Sequence, residues 1–258
     1  MEHKLKYIYG PVPSWRVGSS LGIDPLSQKE KICSYDCLYC QLGKTKIFSS
    51  TRQLYISEEE IAKELEILPA SISIDYITVS GRGEPTLASN LGYIIKTIKK
   101  IRKEPIAVIT NSSIINRQDV LEELSLADFV IAKLDASSQE SLAVINQPVK
   151  NIKFDVIIEG IKEFKRNFNG KLALQIMFTK ENAPHAANIA KISKEIRPDE
   201  VQINTPLRPC GVQPLGIEEL SCIKNLFDGL NSISVYESHK KAVQSISDKD
   251  TLKRRGKV

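Results

Sequence analysis

The sequence predicts an α/β fold in the form of an incomplete (β/α)6 TIM-like barrel. Six short runs of β-branched and other apolar residues alternate with segments of helical periodicity. The runs are continuously apolar, as expected of a parallel sheet covered by helices. The segments that follow them, Gly81 to Leu87, Thr110 to Ser113, Asp135 to Ser138, Thr179 to Glu181 and Asn204 to Pro209, are rich in Gly, Pro, Asn, Asp and Ser. Chemistry gathers at such strand ends in sheets of this kind.

The first strand candidate is Ser20 to Asp24, preceded by Pro11, Pro13 and Gly18, which read as a rigid loop. A helix opens at Ser57, where Ser57 and Glu60 form an S-x-x-E capping box ahead of Ile61, Leu65 and Leu68. Tyr76 to Ser80 is the second strand, and Leu91, Ile94, Ile95, Ile98 and Ile101 form a helical stripe that stops before Pro105. Ile106 to Asn111 and Phe129 to Asp135 follow as strands. Ile157, Ile158, Ile161 and Phe164 make a second stripe that stops by Gly170. Leu172 to Phe178 is the fifth strand, Asn182 to Ile196 a helix ended by Pro198, and Val201 to Thr205 the sixth strand. Residues 1–248 read as a single domain with a short N-terminal extension, and residues 249–258 as a basic, disordered tail carrying Lys249, Lys253, Arg254, Arg255 and Lys257.

The 258 residues include 36 Lys+Arg and 31 Asp+Glu, a formal balance of 36 − 31 = +5. That surplus permits a polyanionic partner without requiring one. With 41% hydrophobic and 26% charged residues, the composition excludes the disordered class. No stretch of about 18 uninterrupted apolar residues is present, so no membrane span is expected. The start, Met1-Glu-His-Lys-Leu-Lys, is followed by no apolar h-region, and a cytoplasmic location is the expectation.

Five cysteines, an odd number, argue against a disulfide framework, and Cys33, Cys37 and Cys40 fall within eight residues. A structural zinc takes four protein ligands, so Cys210 or one of His3, His185 and His239 would have to complete a site. A zinc-stabilised interaction module therefore stays open as a non-enzymatic reading. Three buried, inert thiols are another, poorly suited to a loop rich in Tyr, Asp and Ser. Three thiolates on a four-iron cubane, by contrast, leave one iron open to an external ligand.

The C-x3-C-x2-C spacing, with aromatic Tyr39 just before the last cysteine, resembles the signature of the radical S-adenosylmethionine superfamily. The resemblance implies one [4Fe-4S] cluster on Cys33, Cys37 and Cys40, with S-adenosylmethionine on the fourth iron through its amino and carboxylate groups. An electron from the cluster then cleaves the sulfonium to methionine and a 5′-deoxyadenosyl radical, which abstracts hydrogen from substrate. It also implies an electron donor such as flavodoxin or ferredoxin.

Ser80-Gly-Arg-Gly-Glu-Pro-Thr86 looks like the family's Gly-Gly-Glu segment, with Gly83 and Glu84 at the methionine amino group; an ordinary Gly-Pro turn is the plainer account. Asn111 and Asp135 stand where the family places groups for the ribose and the methionine carboxylate. An Asx turn and a helix N-cap are their structural alternatives. Tyr39 and Gln175 complete the cofactor-binding set implied by the resemblance.

Gly10-Pro-Val-Pro-Ser-Trp-Arg-Val-Gly18, Ser20-Leu-Gly-Ile-Asp24, Gln41-Leu-Gly43 and Gly83-Glu-Pro-Thr-Leu87 occur in order, so the resemblance extends to the iron-sulfur oxidoreductases that include wybutosine-pathway enzymes acting on tRNA. Those enzymes carry further cysteines upstream for a second cluster; residues 1–32 have none, and Cys210 and Cys222 read as bystanders. The substrate implied is tRNA, with a protein or small molecule as the alternative. Lys4, Lys6 and Arg16 add weak support for RNA, and Lys44, Lys46, Lys133 and Arg208 are candidates to touch substrate.

Overall fold

The apolar runs form the middle of one eight-stranded sheet in the computed structural model, which describes residues 5–69, 71–239 and 241–255. In chain order the elements are β1 (Ile8–Ser14), β2 (Gly18–Ile23), β3 (Ile32–Cys33), β4 (Ile47–Phe48), α1 (Glu58–Glu66), β5 (Tyr76–Val79), α2 (Leu91–Ile101), β6 (Ile106–Thr110), α3 (Gln118–Leu124) and β7 (Phe129–Lys133). They continue with α4 (Gln139–Ile145), α5 (Phe154–Asn167), β8 (Lys171–Met177), α6 (Ala186–Ile196), β9 (Glu200–Asn204), α7 (Ile217–Asn225), β10 (Ser232–Ser234) and α8 (Asp248–Arg255). The large sheet runs β1-β2-β5-β6-β7-β8-β9-β10 and curls into an open half-barrel, while β3 and β4 pair separately.

All six expected strands are present as β2 and β5 to β9, parallel and in sequence order. Two strands of the large sheet were not expected, nor was the small β3–β4 pair. β10 adds in parallel beside β9, and β1 pairs antiparallel with β2 on the other edge. β1 contains Pro11 and Pro13, which an edge strand tolerates because its outward N–H groups need no ladder partner. The proline segment read as a loop is therefore a strand.

The helices follow the apolar stripes. Ser57 Oγ accepts from the Glu60 N–H, but the Glu60 carboxylate accepts from Tyr7 Oη at 2.9 Å and does not return to the cap, so only half of the capping box forms. Ile94, Ile95 and Ile98 of α2 and Ile157, Ile161 and Phe164 of α5 are buried against the outer face of the sheet. The segment read as a helix from Asn182 begins with a 3-10 turn, Ala183–His185, and α6 ends on Arg197 in the left-handed region just before Pro198. The tail read as disordered from residue 249 is helical to Arg255. Its start is tied to β1, because Gly10 N donates to Thr251 Oγ1 at 3.0 Å and Ile246 N donates to Gly10 O at 2.8 Å. His3, Lys4 and the last three residues, 256–258, lie outside the described residues.

Strand alternation sorts the inner face of the half-barrel. Val17, Ala107, Phe129, Ile131 and Ala173 close one end as a small apolar plug, separate from the main core under the helices. Two residues further along the same faces come Asn111 after Ile109, Lys133 and then Asp135 after Ile131, and Gln175 after Ala173. Lys133 and Gln175 stand side by side in register, with Gln202 beyond. The carboxyl ends of the strands thus present polar groups. Arg16, in the turn between β1 and β2, sits at the plugged end and so away from the cysteines.

Candidate functional site

The cysteine loop is laced to its surroundings before any ligand is considered. β3 carries Cys33 and pairs in parallel with β4, and Thr45 closes the loop by donating to Tyr35 O at 2.6 Å and, through its N–H, to Asp36 Oδ1 at 2.6 Å. On its other side, Asp36 N donates to Asn146 O at 2.9 Å, Leu38 N to Ile145 O at 3.0 Å, and Val149 N to Ser34 O at 2.9 Å. These bonds fix the three cysteines against the end of α4.

Gly83 is required by this packing. Its φ is +155°, and a Cβ there would lie 1.8 Å from the Ile32 carbonyl oxygen. The bare backbone lets Gly83 bridge in parallel to Ile32, with Ile32 N donating to Arg82 O and Glu84 N donating to Ile32 O at 3.2 Å. Glu84, 2% exposed, accepts from Thr86 N, Thr86 Oγ1, Thr110 Oγ1 and Asn111 N at 2.6 to 3.1 Å. Burial raises its pKa, and the four hydrogen bonds work against the rise. In this arrangement Glu84 ties the second strand end to the third.

Each thiol has a side-chain amide beside it or a cation near it. Asn111 Nδ2 donates to Ser34 Oγ at 2.9 Å and lies 3.5 Å from Cys33 Sγ. Asn146 Nδ2 donates to Asp135 Oδ2 at 2.9 Å and lies 3.4 Å from Cys37 Sγ and 3.2 Å from Tyr39 Oη. Tyr39 Oη donates to the same Asp135 oxygen in a short contact, while Met177 N donates to Asp135 Oδ1 at 2.7 Å and Lys133 Nζ pairs with it at 3.3 Å. Lys133 also lies 4.9 Å from the Tyr39 ring centre. Lys31, buried, donates to Gly43 O at 2.9 Å. Burial opposes its charge, yet Cys40, Cys33 and Cys37 around it carry its pKa above the ordinary lysine value.

Burial raises the Cys33 thiol well above its usual range, and burial together with Asp135 pushes Cys37 up to about 11. Thiols so placed favour the neutral form. A cubane offers a separate iron to each thiolate, and three thiols on one short loop fit such a group. His185 and His239 are exposed, Cys222 is exposed on α7, and Cys210 Sγ donates to Val212 O at 3.3 Å.

The expected set is therefore brought together in part. Tyr39, Asn111 and Asp135 adjoin the cysteines, Gln175 is buried on the neighbouring inner face, and Gly83 and Glu84 brace the loop from behind. Two groups escaped the sequence. Asn146 is 109 residues from the cysteine it approaches, and Lys31 sits in an ordinary charged run. The loop after β9 reaches back over the site, where Arg208 donates to Gln41 Oε1 at 3.0 Å.

Known proteins share this fold. Residues 31–191 match the family described as the Radical SAM superfamily. The UPF0026 protein slr1464 of Synechocystis is 42% identical over 207 residues, 80% of this chain and 77% of that one. Among solved structures, Streptococcus suis SuiB bound to precursor peptide SuiA superposes with a TM-score of 0.66 at 13% identity, over 84% of this chain and 48% of SuiB, and SuiB bound to S-adenosylmethionine with a TM-score of 0.63 at 13% identity, over 80% and 48%. Archaeal TYW1 superposes with a TM-score of 0.54 at 13% identity, over 82% of this chain and 72% of its own. The matched segment opens at Lys31, takes in all three clustered cysteines and runs through four of the six central strand ends, and the chain belongs to the radical SAM superfamily.

Proposed function

We propose that this chain is an enzyme that cleaves S-adenosylmethionine reductively at one [4Fe-4S] cluster held by Cys33, Cys37 and Cys40. The observation that carries the reading is the setting of the three thiols: one loop, one buried lysine among them, and amide donors beside two sulfurs. When bound, the reduced cluster supplies the electron that breaks the sulfonium and yields the 5′-deoxyadenosyl radical. The protein's own work is to hold the loop rigid, balance its charge and exclude water from the mouth of the half-barrel. Glu84 and Gly83 serve the first task, Lys31 the second. Asp135, fixed by Tyr39, Asn146 and Lys133, presents a carboxylate of defined orientation to the cofactor's polar end.

The proposed substrate class is tRNA, supported by the +5 balance and by the ordered motifs shared with wybutosine-pathway enzymes. To test it, the cluster is reconstituted anaerobically and S-adenosylmethionine, a reductant and deuterium-labelled pools of tRNA, protein or metabolites are added. Deuterium entering 5′-deoxyadenosine from the tRNA pool is the expected result. Transfer from the protein or metabolite pool refutes the tRNA assignment, and protein containing zinc without inorganic sulfide refutes the radical reading.

A further inference from the structure

The side chain of Asn146 stands between two groups that carry negative charge once the site is loaded. One is Cys37 Sγ at 3.4 Å and the other Asp135 Oδ2 at 2.9 Å, with Tyr39 Oη at 3.2 Å. Asn146 is 1% exposed, and among the described residues its side chain makes no other hydrogen bond. Its backbone has separate duties, since Asn146 N donates to Leu142 O at 3.0 Å and Asn146 O accepts from Asp36 N at 2.9 Å. A substitution therefore removes the amide while leaving the bonds that hold the loop.

A thiolate and a carboxylate placed this close repel each other, and a neutral amide that donates to both relieves the conflict without adding charge. Hydrogen bonds to cluster sulfurs also raise reduction potentials, because the positive end of the N–H dipole stabilises the added electron. We propose that Asn146 is a positioning residue that raises the reduction potential of the cluster through the corner held by Cys37, while keeping Asp135 aimed beside it. This rests on the reading of Cys33, Cys37 and Cys40 as cluster ligands. The step concerned is uptake of one electron by the cluster, from 2+ to 1+. Asn111 makes the corresponding approach to Cys33, but at 3.5 Å and with its Nδ2 otherwise donating to the Ser34 hydroxyl, an uncharged partner.

The test is an anaerobic redox titration of the reconstituted full chain, poised with dithionite and followed by electron paramagnetic resonance without S-adenosylmethionine. Asn146→Leu, of similar volume and without a donor, is expected to keep wild-type iron and sulfide. It should hold about tenfold less reduced cluster at a fixed potential, a shift of about 59 mV to the negative for a one-electron couple. Asn146→Ala, which removes the donor without adding bulk, serves if the leucine variant fails to fold and should shift the same way. Asn146→Gln, which keeps an amide, should recover part of the shift. A leucine or alanine variant that loads fully and titrates at the wild-type midpoint overturns the inference, as does a glutamine variant shifted as far as leucine. Wild-type protein that takes up no iron and sulfide refutes the cluster reading itself, and this inference with it.

Discussion

The two ends of the half-barrel's interior are built in opposite ways. At one end Val17, Ala107, Phe129, Ile131 and Ala173 pack as an apolar plug with Tyr76 edge-on to Phe129 at 6.0 Å. At the other, Asp24, Glu84, Asn111 and Asp135 are buried polar groups, each no more than 9% exposed. Burial of the first kind is stabilising at about 25 cal/mol per Å2 of apolar area. Burial of the second kind costs free energy unless every donor and acceptor is satisfied. The polar end is retained for what it holds, and the plug supplies stability that the polar end does not.

The largest test of that division is replacement of Cys33, Cys37 or Cys40 by Ala. Bound iron, inorganic sulfide and 5′-deoxyadenosine formation should fall to background while circular dichroism stays unchanged; turnover retained in all three variants breaks the comparison. Phe129→Ala at the plug should act the other way. It should cost about 3–5 kcal/mol in urea unfolding, with wild-type iron per folded molecule.

Glu84→Gln sharpens the boundary, because Glu84 belongs to the polar end yet braces the loop. It should cost about 1–3 kcal/mol at neutral pH, the range for disturbing a buried hydrogen-bonded group. Its pH signature is distinctive. A carboxyl raised by burial binds its proton more tightly folded than unfolded, so its contribution to stability falls as pH rises from the ordinary carboxylate value through the raised one. The variant's unfolding free energy should lack that decline. A difference between wild type and variant that is flat between about pH 4 and pH 8 contradicts the assignment. The smallest effects are expected from Cys210→Ser and Cys222→Ser, which should leave iron content unaltered; loss of iron in either would bring a bystander into the site.

How much of this was legible follows the same division. The six central strands announced themselves because parallel strands buried on both faces read as unbroken apolar runs. β1 did not, since its prolines mimic a loop, and neither did the three-residue β10, Ser-Ile-Ser. The cysteines were legible through local spacing. Asn146 and Lys31 were not, for their places beside the thiols come from tertiary proximity, and nothing in the segment around Asn146 marks it as a neighbour of Cys37. Glu84 was legible as a residue, but the four protein donors on its carboxylate were not.

The bond from Gly10 N to Thr251 Oγ1 joins positions 241 apart in the chain. During synthesis at about 5–20 residues per second, the outer edge of β1 has no such partner until Thr251 has emerged from the ribosome. For that interval of tens of seconds the nascent sheet carries an open edge, the kind that pairs with other chains. The seal on the first strand waits on a residue made 241 positions later.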